Sequence, residues 1–240
     1  MKTTWDVHGH TMWDAWKNGE SFDLVERDDG FIISIPGSSY LAKFEDWPDI
    51  ERRAMDFVRG RVIDLGCGAG RVALYLQQKG FDVLGFDISP LALRVCRERG
   101  LRVTRKGSIH DLSFPRNSFD TAIMFGNNFS LLGTPAKATK TLRRMHRMLS
   151  DGGLILAETL DPYDTKEPSH LAYHRLNRRK GRLPGQVRMR VRYKEFSTPW
   201  FYWLLLSREE MRELARSAGF EIAGYVGPSD PRYIGILRKV

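Results

Sequence analysis

Residues 62–71 read V-I-D-L-G-C-G-A-G-R, and this run constrains the fold more than any other stretch of the chain. A β-branched apolar segment ends in an acid and then places glycine at alternate positions, Gly66, Gly68 and Gly70. That pattern predicts a buried parallel strand turning sharply into a helix. Glycine permits positive φ and lets a ligand approach main-chain atoms that a Cβ would cover, while the following helix opens with free N–H groups. The spacing G-x-G-x-G differs from the G-x-G-x-x-G of dinucleotide sites. Asp64 sets an anion where a diphosphate would be repelled, so the ligand is expected to be cationic at that end.

This run resembles the first motif of the class I S-adenosylmethionine-dependent methyltransferase family, an acid followed by the same glycine loop, whose ligand carries an α-amino group and a sulfonium. The resemblance implies S-adenosylmethionine as cofactor, held by Asp64, Gly66, Cys67 and Gly68. Within the loop Cys67 reads as a small packing residue rather than a nucleophile. F-D-V-L-G-F at 81–86 predicts a second strand, closed by Asp87 roughly 20 residues beyond the loop, where an α/β fold puts a carboxylate on ribose hydroxyls. Ile88 then falls on the adenine face, and Ser89-Pro90 predicts the N-cap and first residue of a helix over 91–99.

Further landmarks follow in chain order. G-S-I-H-D-L at 107–112 and S-F-D at 118–120 resemble the family's stretch after strand three and its entry into strand four. The family often has an acid directly after that glycine. Here Ser108 stands there, followed by Ile109, so the adenine contact falls to Ser108, to main chain or to Asp111. T-A-I-M-F at 121–125 predicts the fourth strand, with Phe125, Gly126 and Asn127 as cofactor contacts at its carboxyl end. Asn127 and Asn128 either bond a substrate or the methionine moiety, or cap the next helix. Only Phe129 matches the Asn/Asp-Pro-Pro-aromatic motif of nucleic-acid amino methyltransferases, and that activity is not carried across. A helix over 142–149 and S-D-G-G-L-I-L-A-E at 150–158 resemble the approach to strand five. The implied architecture is Rossmann-like α/β: a seven-stranded, mostly parallel sheet with helices on both faces and an antiparallel last strand.

With 240 residues, 42% of them hydrophobic, the chain is expected to form a single methyltransferase domain over 1–240. Residues 1–47 carry Trp5, Trp13, Trp16 and Trp47 and are expected to form a helical N-terminal cap, with Tyr40 as a cofactor contact; a helix over 49–59 leads into the first strand. Residues 162–206 read as a lid insertion of a helix plus a β-hairpin. Much of the +9 formal charge lies there. Arg188, Arg190, Arg192 and Lys194 alternate with Val187, Met189, Val191 and Tyr193, a half-buried strand with one basic face. Three readings compete for those charges: a basic lid over an anionic small molecule, a nucleic-acid surface, and a solvated sheet face. Trp200, Phe201, Tyr202 and Trp203 are candidate pocket walls. Ser207 and Glu210 have capping-box spacing, ahead of a last helix over 211–218 and an antiparallel pair at 221–226 and 233–237.

A sulfonium activates its methyl group for in-line displacement, so such a protein must align donor and acceptor, strip water and, where needed, remove a proton. By chain position the candidate bases are His170, His174, Tyr173 and Tyr163. His170 and His174 share a helical face, yet no third ligand accompanies them and no metal site is expected. The amino terminus lacks an apolar core, no apolar run is long enough to span a bilayer, and two cysteines suggest a reducing compartment, so a cytoplasmic protein is expected. The leading expectation is methyl transfer to a small-molecule acceptor, possibly anionic. An RNA or protein methyltransferase using the basic insertion and a non-catalytic S-adenosylmethionine-binding protein are the alternatives. These residues fix neither the acceptor atom, O, N, C or S, nor the oligomeric state.

Overall fold

Seven strands lie side by side in the order Phe220–Val226, Arg232–Lys239, Leu149–Leu160, Phe119–Met124, Val62–Leu65, Val83–Asp87, Thr104–Lys106 in the computed structural model, which describes residues 1–227 and 231–240. The five from Leu149–Leu160 to Thr104–Lys106 are parallel. Arg232–Lys239 pairs antiparallel on both sides and so runs against the rest. From Val62–Leu65 the chain first builds outward to Val83–Asp87 and Thr104–Lys106, then returns to Phe119–Met124 on the other side. The reversal opens a crevice at the carboxyl ends of these strands.

Both faces of the sheet are covered, which is why its strands are apolar almost throughout. Alternation along the first strand sends Ile63 and Leu65 into a core shared with Leu142, Met145 and Met211 of the helices Pro135–Met148 and Arg208–Ser217. It sends Val62 to the opposite core, with Val72, Leu76 and Leu93 of Arg71–Gln78 and Pro90–Glu98. The helix starts follow their caps. Ser89 Oγ accepts from the Ala92 amide at 2.9 Å, ahead of Pro90. Ser207 Oγ accepts from the Glu210 amide while Glu210 Oε2 accepts from the Ser207 amide. Pro135–Met148 begins a full two turns before the expected 142, because Thr134 caps it and Pro135 opens it.

A second sheet stands over the crevice, in the order Lys2–Thr3, Phe196–Ser197, Gln186–Tyr193, Phe22–Arg27, Ile32–Pro36, with Phe201–Leu204 also paired to Gln186–Tyr193. The expectation of a purely helical cap over 1–47 is therefore corrected. One helix, Val7–Asn18, is followed by the antiparallel pair Phe22–Arg27 and Ile32–Pro36, turned at Asp29-Gly30 with Gly30 at φ +91°. Phe22–Arg27 pairs with the insertion strand, so two segments more than 150 residues apart in the sequence share one sheet.

The alternation of Gln186–Tyr193 buries Met189, Val191 and Tyr193. Its basic face is matched by carboxylates across the pairing: Arg190 and Arg192 on Glu26 at 2.9 and 3.3 Å, and Arg188 on Asp28 at 3.9 Å. The helix Pro168–Arg179 is tied to this strand by the buried Asn177, whose Nδ2 donates to the carbonyls of Pro184 and Gln186 at 3.1 and 2.9 Å. Asn177→Ala leaves both carbonyls unpaired in an interior. It should cost about 2 kcal/mol, or about 4–8 °C of thermal midpoint in a chain of this size; a melt within 1 °C or so of the parent would contradict this role.

Candidate functional site

The glycine run turns where the first strand meets the crevice. Gly66 and Gly68 adopt φ of +76° and +54°, and a Cβ at Gly66 would stand 2.7 Å from Asn128 Nδ2. That amide donates to the Gly66 carbonyl at 2.8 Å, so Asn128 clamps the loop from the neighbouring strand end. On the other side Asp87 accepts from the Gly68 amide at 2.9 Å through one oxygen and from the Ser89 amide at 2.8 Å through the other. The carboxylate is thereby fixed in orientation with lone pairs left over. Burial raises its pKa against the pull of those two amides.

Asp64 lies behind the loop, 3% exposed, with Oδ2 lacking any hydrogen-bond partner. Burial pushes its pKa up to about 7, with Asp87 and Glu51 adding to the rise and Arg71 opposing it. The same end of the sheet holds further buried charge. Arg71 forms a bidentate pair with Glu51 at 2.5 and 2.6 Å. The Gly126 amide donates to Glu158 at 2.8 Å and to Glu51 at 3.2 Å. Burial and then the charge of Glu51 raise the Glu158 pKa; its Oε1 has no hydrogen bond, with Arg232 standing off at 3.7 Å. Sequence reasoning assigned no role to Arg71, Glu51 or Glu158. The one signal was Glu158 closing an otherwise apolar strand.

Between the loop and the second sheet lies a cleft of about 710 Å³. Of the expected cofactor contacts, Tyr40, Gly66, Cys67, Gly68, Asp87, Ile88, Ser108, Ile109, Phe125 and Gly126 line it. Asp64, two residues before Gly66, is buried and does not line it. Asn127 takes a left-handed φ of +66°, and its Oδ1 accepts from Ser130 Oγ at 2.9 Å, which turns the side chain away from the cleft. The Tyr40 hydroxyl is spent on Asp23 at 2.7 Å, where His8 also bonds, so Tyr40 offers its ring. Ser108 Oγ accepts from the His110 amide, and Asp111 pairs outward with Arg144. Cys67 is buried with its Sγ 4.0 Å from that of Cys96, and the contact with Cys96 and burial hold its thiol well above the usual pKa.

The histidine and tyrosine candidates of the insertion lie elsewhere. Tyr173 donates to Asp28 at 2.6 Å and accepts from the Arg188 amide, His170 bonds Thr165, His174 packs against Tyr163, and Tyr163 donates to Glu210. None lines the cleft. His170, Tyr173 and His174 lie on the helix Pro168–Arg179 and Tyr163 just before it, and their contacts run to the second sheet and the last helix rather than to the cleft. The cleft histidine is His110, whose pKa is lowered by burial and then by Lys137. Trp200, Phe201 and Tyr202 form the wall that the insertion contributes, joined by Trp5 and Met12.

Residues 62–153 match the family model described as a methyltransferase domain. The chain is 27% identical over 128 residues to a tRNA (uracil(54)-C(5))-methyltransferase of Pyrococcus horikoshii, covering 51% of this chain and 31% of that one. It is 28% identical over 113 residues to a ubiquinone biosynthesis O-methyltransferase of Xanthomonas oryzae, covering 45% and 46%. The chain thus spans less than half the length of these curated relatives. An S-adenosylmethionine-dependent methyltransferase from Bacteroides fragilis, solved with S-adenosyl-L-homocysteine, superposes with a TM-score of 0.83 at 24% identity over 98% of this chain and 95% of the other, which shows a shared fold.

The raised pKa of Asp64 has a consequence for stability. The folded chain keeps this proton to about pH 7, whereas the unfolded chain releases it near pH 4. Stability therefore falls as pH rises between those values and stays low above them. Asp64→Asn should stabilise the ligand-free protein by of order a few kcal/mol at pH 8 and by less at pH 5, read as a higher thermal midpoint. Equal midpoints for parent and variant at both pH values would refute the assignment.

Proposed function

We propose that the chain is a class I S-adenosylmethionine-dependent methyltransferase that binds S-adenosylmethionine in the cleft and passes the methyl group to a small-molecule acceptor, a reading supported by the match of residues 62–153 to a methyltransferase domain. The observation that carries this reading is the pairing of two carboxylates with a side-chain-free floor. Asp87, held by two amides, retains lone pairs for the two ribose hydroxyls. Asp64 is a buried acid with an unpartnered oxygen under the loop, matched in charge to an α-ammonium. Ile88 and Ile109 supply apolar faces for adenine, and Ser108 with its neighbouring main chain supplies polar edges. Arg71, held by Glu51 at the cleft wall, offers positive charge to the ligand's carboxylate.

When bound, the sulfonium supplies a methyl group activated for in-line displacement. The chain's own part is alignment and exclusion of water. Gly66 and Gly68 let the ligand approach the main chain closely, Asn128 fixes the Gly66 carbonyl, and Trp5, Trp200 and Phe201 close the cleft from above. A volume of about 710 Å³ lies within the range of roughly 300–1,000 Å³ for small-molecule sites, which supports a small acceptor. The RNA reading drew on the basic strand, and the matching of Arg188, Arg190 and Arg192 by Asp28 and Glu26 weighs against it. Among the described residues no helix is long and apolar enough to cross a membrane, and the buried free thiols of Cys67 and Cys96 support residence in the reducing cytoplasm.

Calorimetric titration with S-adenosylhomocysteine tests the reading. The parent chain should bind, and Asp87→Ala should weaken binding about 10- to 100-fold through the loss of charge-assisted hydrogen bonds to the ribose. A folded parent that binds neither S-adenosylhomocysteine nor S-adenosylmethionine overturns it.

A further inference from the structure

The cleft wall beyond the residues assigned to the methyl donor has a composition of its own. Trp5, Trp200, Phe201 and Tyr202 face it. The Trp5 and Phe201 rings are 5.9 Å apart, and Trp200 is held by the guanidinium groups of Arg190 and Arg188 at 4.8 and 5.3 Å from its ring. Two cations stand near one end of this wall: Lys137 lines the cleft, and Arg182, which does not line it, lies on the Tyr202 ring. The Arg182 guanidinium stands 5.2 Å from the Tyr202 ring. The Tyr202 main chain lies against Gly133, where a Cβ would come within 3.1 Å of its carbonyl, and Lys137 follows one helical turn later and lines the cleft. Among the described residues neither Lys137 nor Arg182 has a carboxylate within ion-pair distance, although the strand arginines beside them are matched. Asp87 is the one acid among the described residues lining the cleft, and the donor reading commits it to ribose.

We propose that the acceptor is a planar aromatic molecule bearing an anionic group, its ring stacked among Trp5, Trp200, Phe201 and Tyr202 and its charge on Lys137, with Arg182 adding positive potential through its place on the Tyr202 ring. Flat rings meet aromatic side chains favourably in offset or edge contacts. An anion gains a charge-assisted hydrogen bond from a lysine that otherwise has no carboxylate at ion-pair distance, and the Arg182 guanidinium adds to the positive potential there. A cationic acceptor would instead meet like charge at this end of the wall, with no free acid to receive it. This inference rests on the cleft being the methyl-donor site, and it specifies which half of the cleft the acceptor occupies.

Two probes of the same shape and opposite charge decide it: 2-naphthoate and 2-naphthylmethylammonium, each titrated calorimetrically into the full chain with and without saturating S-adenosylhomocysteine. Naphthoate should bind and the ammonium probe should not. Lys137→Glu combined with Arg182→Glu should weaken naphthoate about tenfold or more while leaving S-adenosylhomocysteine affinity within about twofold of the parent. Lys137→Met alone, a milder change, should weaken naphthoate by a smaller factor. The proposal is overturned if the ammonium probe binds as tightly as naphthoate, if the double variant binds naphthoate unchanged, or if single-stranded RNA displaces naphthoate with the steep salt dependence of multiple phosphate contacts. Loss of S-adenosylhomocysteine binding in the parent is a separate outcome that strikes the donor reading, since the probes are also read without it.

Discussion

The carboxylate of Asp64 is buried without a partner for one of its oxygens, and the head of the larger sheet is organised around that imbalance. Asp64, Asp87, Glu51 and Glu158 gather at the strand ends, while among the described residues Arg71 is the one cation bonded directly into the group and Arg232 stands at 3.7 Å from Glu158. In a chain of net charge +9 such a concentration of acid is a local choice rather than a reflection of composition. Desolvation raises three of the four pKa values, and Glu51 escapes because Arg71 outweighs its burial. Groups held this way are costly in the free protein and gain most from a ligand that brings positive charge. The glycine floor is the steric counterpart: it removes the side chains that would otherwise fill the space above the acids.

The second sheet supplies what the first cannot, a roof. It is assembled from the amino-terminal segment and from the insertion after the fifth strand, so neither part is a free-standing flap. Asp23 is the knot that binds it to the floor. Buried at the start of the strand Phe22–Arg27, it receives His8 and Thr11 from the helix Val7–Asn18 and Tyr40 from the turn that precedes the first core helix. The same helix lies against Pro90–Glu98, where Gly9 leaves room for Ser89 and Asp6 to bond. Asp87 and Ser89 therefore hold the glycine loop from one side and the amino-terminal helix from the other. The position of the roof is coupled to the carboxylate assigned to ribose.

Elements defined by local chemistry were legible in the sequence. The glycine run, the Ser89-Pro90 start and the Ser207–Glu210 box each describe contacts within a few residues, and the strand alternation at 187–194 states which side chains go inward. What alternation does not state is the partner. Nothing near Arg190 in the sequence announces Glu26, which reaches it only through a strand pairing that spans 164 residues, so a basic face read from periodicity becomes one in which three arginines share two carboxylates. The spacing of His170 and His174 fixed their helical face but not which body that face meets. At Asn127-Asn128 two like residues exchange roles because a left-handed φ at the first turns it toward Ser130 and leaves the second to grip Gly66.

Charge is also sorted along the cleft in a way that composition hides. Acids gather at the end assigned to the donor, and Lys137 lines the cleft at the far end of the aromatic wall, with Arg182 on the Tyr202 ring. A field of this form orients a cationic donor and an anionic acceptor oppositely in one apolar trough, where the low dielectric strengthens each attraction relative to water. The two ligands need no contact with each other to be brought head to head. The three roof-strand arginines, paired with Glu26 and Asp28, then act as structure: they join the two segments of the roof across their strand pairing, and Arg188 and Arg190 also brace Trp200. On this account the selectivity comes from Lys137 on the helix Pro135–Met148, with Arg182 of the insertion beside it, rather than from the insertion's total charge.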